Sequence, residues 1–219
     1  MELKGKKIAF LGDSITEGYG ASCVENTYWN ILGRETGAQV FGYGIGGTTI
    51  AKRNFPLPQP NPNKYFGSRV NDMIEDADII VIFGGTNDFG GSDPAFGAIT
   101  DREENTFYGA YHCLIQKLMA RYPDGKIVIA TPLHRITEDD GSYNEQGGRR
   151  GGVLKDYVMA IRQIAQFYGL PVADLYRNCP LQPRIPEHQR RYMPDGVHPN
   201  DAGHVILTNK IAQFIKNDL

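Results

Sequence analysis

Cysteine is scarce in this chain: Cys23, Cys113 and Cys179 are the three among 219 residues. They are far apart, odd in number and without CxxC pairing, which excludes a disulfide framework and a thiolate zinc site. An excess of positive charge is also missing, since 23 Lys and Arg stand against 25 Asp and Glu, a formal net charge of −2. Nucleic acid and anionic membrane surfaces both call for a basic patch, so neither is expected as a partner. Long hydrophobic runs are absent as well. The apolar stretch nearest the amino terminus, Ile8-Ala9-Phe10-Leu11, is too short for a signal-peptide core or a membrane span, and a cytoplasmic, reducing location is the expectation. The chain has no internal repeat, low-complexity tract or interdomain linker. Its length suits one domain over residues 1–219, with no sign of its oligomeric state.

What is present is a regular alternation of short apolar runs with amphipathic stretches, the pattern of βα units on a parallel sheet. Strands are predicted at about residues 6–11, 38–42, 78–83, 126–131 and 171–174. Helical faces are marked by Phe107, Tyr111, Leu114, Ile115 and Leu118, by Leu154, Val158, Ile161 and Ala165, and by Leu207, Ile211, Phe214 and Ile215. A further helix containing Trp29, Ile31 and Leu32 is expected after the first strand, and Pro199 and Asn200 can start the last one. Long polar connections run from Gly84 to Asn105, Pro132 to Gly152 and Tyr176 to Gly196, and a Pro-rich loop covers Phe55 to Pro62. The polar connections leave the carboxyl ends of predicted strands, where open α/β sheets place their sites.

Four segments on that edge carry chemistry. Gly12-Asp13-Ser14 ends the first strand, where a serine can stand exposed with its N–H turned outward; alone it reads equally as a turn or helix cap. Gly42-Tyr43-Gly44-Ile45-Gly46-Gly47 follows the second strand and lets backbone N–H groups approach a ligand, but it lacks the Lys and spacing of a P-loop. Gly85-Thr86-Asn87-Asp88 follows the third. Asn87 offers a neutral N–H donor suited to an oxyanion, against the plainer reading of an Asn-Asp turn. Asp195-Gly196-Val197-His198-Pro199 precedes the last helix, with a carboxylate three residues before an imidazole. His204, at i+6, gives no ligand spacing for a metal, so neither metal nor cofactor is called for. His112 is assigned to a helix, His134 and His188 to the surface or a substrate loop.

Each fragment recurs by chance in roughly one to five of every hundred chains this long, whereas all three of Gly-Asp-Ser, Gly-x-Asn-Asp and Asp-x-x-His-Pro in order are expected about once in 10⁵. Together they resemble the SGNH (GDSL-type) hydrolases, a flavodoxin-like α/β/α superfamily of esterases and lipases, from Gly12 to Pro199. The resemblance implies a three-layer fold on a sheet of about five parallel strands. It implies Ser14 as nucleophile, Asp195 and His198 as its proton-handling partners, and an oxyanion hole from the Ser14 N–H, Gly47 (with Gly46 as the alternative) and Asn87. One departure is Gly42, which stands where many members have Asn. No Gly-x-Ser-x-Gly elbow is present, which argues against the α/β-hydrolase scaffold.

The implied reaction is acyl transfer to water, with a rate that falls as the imidazole becomes protonated. No lid-like apolar helix is visible, and the loops carry Tyr43, Phe89, Phe96, His134, Arg135, Tyr143, Arg149 and Arg150. Asp13, Asp88, Phe89, His134 and Arg135 are the candidate substrate contacts. This lining, with the resemblance, points to a short acyl group, acetate first, on a saccharide or other small polar alcohol. Lysophospholipase or thioesterase activity, a silent glycan- or acyl-binding module and a flavodoxin-like nucleotide binder are the competing readings. The last two leave the four functional residues or the Asp-x-x-His spacing without purpose.

Overall fold

The computed structural model describes residues 1–54, 64–91, 93–141 and 151–219. Five parallel strands form the sheet: β1 (Lys7–Gly12), β2 (Gln39–Gly44), β3 (Ile79–Phe83), β4 (Lys126–Ala130) and β5 (Val172–Ala173), in the order β2-β1-β3-β4-β5. All five lie within two residues of their predicted spans at either end. The helices are α1 (Ser14–Glu17), α2 (Tyr28–Thr36), α3 (Thr86–Gly91), α4 (Phe107–Arg121), α5 (Leu154–Tyr168), α6 (Leu175–Asn178), α7 (Pro186–Tyr192) and α8 (Asp201–Asp218).

Helices cover both faces, which is why β3 reads as an unbroken apolar run, Ile79-Ile80-Val81-Ile82-Phe83, every residue buried. Successive side chains point to opposite faces. Ala9, Leu11, Ile80, Ile82, Ile127 and Ile129 enter the core beneath α4 and α5, while Ile8, Phe10, Ile79, Val81, Phe83 and Val128 enter the core beneath α2 and α8. Burying one such aliphatic side chain contributes about 1.5–3 kcal/mol. The predicted helical faces are buried, with Trp29 and Phe214 only partly so. His112 and His204 lie inside α4 and α8: His112 bonds the Tyr168 hydroxyl and the Ile99 carbonyl at 2.9 and 3.0 Å, and His204 Nδ1 accepts from the Tyr28 N–H at 3.2 Å. Burial pushes the His204 imidazole down to about 4, so it stays neutral and structural. Among the described residues no helix is long and apolar enough to cross a membrane.

The chain reverses its direction across the sheet between β1 and β3, and such a switch point leaves a crevice at the carboxyl ends of the strands. Gly12 registers with Gly44 on one side and Phe83 on the other, so the loops after β1, β2 and β3 start side by side. The fit there is tight. A Cβ at Gly44 would stand 2.0 Å from the Glu17 backbone nitrogen and 2.4 Å from the Thr16 carbonyl carbon, leaving β2 and α1 no room to part. Gly44→Ala is therefore expected to cost about 1–3 kcal/mol of stability, read as the shift of the denaturant midpoint. An unchanged midpoint would contradict this packing.

Candidate active site

β1 delivers Ser14 as the first residue of α1. Asp13 caps that helix, its Oδ1 accepting from the Ile15 N–H at 3.0 Å, so Gly-Asp-Ser is both a helix cap and the mount of the serine. At this first helical position the Ser14 N–H has no acceptor within the helix. Ser14 Oγ lies 2.9 Å from His198 Nε2, and His198 Nδ1 lies 2.6 Å from Asp195 Oδ2. The other carboxylate oxygen accepts from the backbone N–H groups of Val197 and His198 at 2.9 and 2.7 Å. Partial burial works to raise the Asp195 pKa, but hydrogen bonds from the His198 backbone, its imidazole and Val197 outweigh it. The carboxyl is held below its ordinary range and ionised beside the imidazole.

The loop carrying this pair is fixed from several directions. Gly196 turns at φ 79°, and its carbonyl accepts from the Ile136 N–H at 3.0 Å. Asn200 caps α8 through its side chain, bonding the Gly203 N–H at 3.1 Å, while its own N–H reaches the Tyr192 carbonyl at 2.8 Å. Against the imidazole lies the Tyr19 ring, with centroids 4.5 Å apart.

Opposite His198 stand the loops after β2 and β3. Gly46 donates its N–H to Glu17 Oε2 at 2.7 Å. Gly47, at φ 72°, has no partner for its N–H among the described residues, so of the two glycines it is the one with a donor to spare. Asn87 Nδ2 donates to the Thr48 carbonyl at 3.0 Å, and its second hydrogen remains for a ligand. Behind them is Arg69, almost wholly buried. Its Nη1 bonds the Tyr43 carbonyl at 2.6 Å, and its Nη2 bonds the Gly12 carbonyl and Thr48 Oγ1, both at 3.0 Å. The departure at Gly42 has a steric reason: a Cβ there would meet Trp29 Cζ2 at 2.4 Å, so no larger side chain fits.

The other candidate substrate contacts differ in how far they are exposed. Asp13 and Asp88 are buried and face inward. Asp88 accepts from the Ile50 and Ala51 N–H groups at 2.9 and 3.0 Å, pinning the segment that follows Thr48. Phe89 is fully buried in the core. His134 pairs with Glu138 at 2.7 Å and packs on Tyr176, and Arg135 bonds the Thr86 carbonyl at 3.2 Å with its guanidinium over Phe89. Tyr43 bonds the Ile74 N–H through its hydroxyl at 2.8 Å, and Phe96 packs among Phe107, Tyr108 and Tyr157. Tyr143, Arg149 and Arg150 lie outside the described residues, as does the Pro-rich loop from Phe55 to Pro62. Glu17, Tyr19 and Arg69 were not singled out in the sequence. Only Tyr19 had a local signal, the glycine on either side of it.

Residues 10–206 match the sequence profile of the GDSL-like lipase/acylhydrolase family. The chain belongs to this family. A GDSL lipase of Mycobacterium tuberculosis is 24% identical over 221 residues, covering 97% of this chain and 82% of that protein. A protein of Lactobacillus plantarum, known from its crystal structure, is 32% identical over 99% of both chains with a TM-score of 0.82. The crystal structure of an acetyl xylan esterase is 26% identical with a TM-score of 0.67, over 95% of this chain and 99% of that one. The chain is thus an ester hydrolase of the GDSL type.

In this family member the buried Asp13 gives a test of the site's electrostatics. Burial pushes its carboxyl up to about 7, against an unfolded value of about 3.9. The folded state therefore keeps a proton that the unfolded state has released. That stabilisation is complete below about pH 4 and lost as pH rises through about 7. Asp13→Asn keeps an oxygen for the Ile15 N–H and mimics the protonated acid. Its Tm relative to the native protein should climb between pH 5 and pH 8; a gap independent of pH would contradict the assignment.

Proposed function

We infer that Ser14 attacks the carbonyl carbon of a short-acyl ester, foremost an acetyl ester of a carbohydrate or another polar alcohol. The observation that carries the reading is the unbroken relay from Asp195 through His198 to Ser14, facing donors on two separate loops. His198 Nε2 takes the Ser14 proton as the Oγ–carbon bond forms, and Asp195 stabilises the resulting imidazolium. The oxyanion is received by the N–H groups of Ser14 and Gly47 and the Asn87 side chain. As the tetrahedral centre collapses, His198 gives its proton to the departing alcohol oxygen, leaving an acyl group on Ser14. Water, deprotonated by His198, then repeats the sequence and releases the acid.

The short acyl group is supported by what surrounds Ser14. His198, Asn87 and the Glu17-bound Gly46 loop are polar, and long alkyl chains need an apolar channel. The likeness to an acetyl xylan esterase supports the same reading. Ser14→Ala should abolish hydrolysis of 4-nitrophenyl acetate. Asn87→Ala should lower kcat about 10²–10³-fold with KM little changed. In a series from acetate to palmitate, kcat/KM should be highest at acetate. Hydrolysis that survives Ser14→Ala, or a maximum at the long chains, would overturn the assignment.

A further inference from the structure

The turn after α1 is built in a way that the chemistry of Ser14 alone does not require. Gly18 and Gly20 both have left-handed backbones, at φ 103° and 95°. The residue between them is tied to the nucleophile, for the Tyr19 N–H donates to the Ser14 carbonyl at 2.9 Å. A Cβ on Gly20 would stand 2.5 Å from the Pro199 carbonyl oxygen and 3.2 Å from His198 Cβ, so the turn presses directly on the loop of the base. The result is an aromatic ring centred 4.5 Å from the imidazole and tilted 58° to it. Yet Tyr19 is 63% exposed, and its hydroxyl has no partner among the described residues. A side chain serving only the fold would be buried or bonded; this one is anchored by its backbone and left bare.

The reaction determines what arrives there. The leaving oxygen must come within hydrogen-bond reach of His198 Nε2 to be protonated, so the alcohol attached to it emerges beside the imidazole, next to Tyr19. A pyranose ring has an apolar face of C–H groups and an edge of hydroxyls. An exposed aromatic ring matches the face, and its phenol can bond the edge.

We propose that Tyr19 is the platform of a leaving-group subsite, a specificity-determining residue that stacks the sugar ring of an acetylated pyranoside while His198 protonates the departing oxygen. The proposal rests on the esterase reading of Ser14 and names the alcohol that reading takes.

The test compares three acetyl esters that differ only in alcohol: ethyl acetate, phenyl acetate and an acetylated methyl xyloside. With Tyr19→Ala, kcat/KM for the xyloside relative to ethyl acetate should fall about tenfold through KM, while the acid limb of the pH profile stays in place. Tyr19→Phe, which keeps the ring, should hold the ratio within about twofold. An equal loss on all three esters, or a shifted acid limb, would make Tyr19 a support for His198 and overturn the subsite. A loss confined to phenyl acetate would overturn the sugar. Ser14→Ala assayed on ethyl acetate separates the two readings. If turnover survives it, the esterase assignment itself fails; if turnover vanishes and the Tyr19→Ala ratio does not move, only the platform fails.

Discussion

Arg69 lies inside the protein with its guanidinium bonded to the carbonyls of Gly12 and Tyr43 and to the hydroxyl of Thr48. These three residues belong to the end of β1, the end of β2 and the loop that follows it. One planar cation therefore sets the spacing between the mount of Ser14 and the loop of Gly47. Asn87 joins the same arrangement through the Thr48 carbonyl. A fork of fixed geometry suits this task better than the single mobile ammonium of a lysine. Burial pushes Arg69 down to about 10, which leaves it charged at neutral pH. An isolated buried cation costs several kcal/mol in lost hydration, and Asp13 offsets part of that by attraction once pH rises through about 7 and its carboxyl ionises. Carboxylates at Asp13 and Asp88 thus belong to the frame of the site. Asp13 holds the start of α1 through the Ile15 N–H, and Asp88 holds the segment after Thr48 through the Ile50 and Ala51 N–H groups.

His198 is held by a separate device. Asp195 is locked by two backbone N–H groups of its own loop, so its orientation does not depend on the sheet. The loop in turn is fixed to α8 by Asn200 and to the segment after β4 by Ile136. Ser14 and His198 therefore meet across the 2.9 Å gap from two independently anchored supports. Preorganisation of this kind lowers the reorganisation that the transition state would otherwise demand.

Much of the fold was legible because each strand and long helix carries its own period. β3 reads apolar throughout because both faces are covered, and the buried stripes of α4, α5 and α8 are the ones their spacing marks. The Ser14, Asn87, Asp195 and His198 positions were legible because their motifs sit immediately after strands or before a helix, where the backbone leaves side chains few directions. The direction in which the other loop residues face was not. Polar or aromatic residues on site loops can face either way, and nothing local told Asp13, Asp88 and Phe89 that they turn inward. Arg69 was invisible for a different reason: its partners are backbone carbonyls on other elements, which have no residue type to recognise. Glu17 and Tyr19 belong to a turn whose direction is set by contact with the His198 loop, 180 residues further along the chain.

The central claim is that Ser14 becomes covalently bound to the acyl group, activated by His198 and received by donors on the neighbouring loops. Its most direct test is trapping with an activated phosphonate ester, followed by intact and peptide mass spectrometry. The account predicts one adduct per chain, on Ser14, forming far more slowly in His198→Ala and Asn87→Ala. A protein that hydrolyses acetyl esters yet yields no adduct on Ser14, or carries it on another residue, would contradict it.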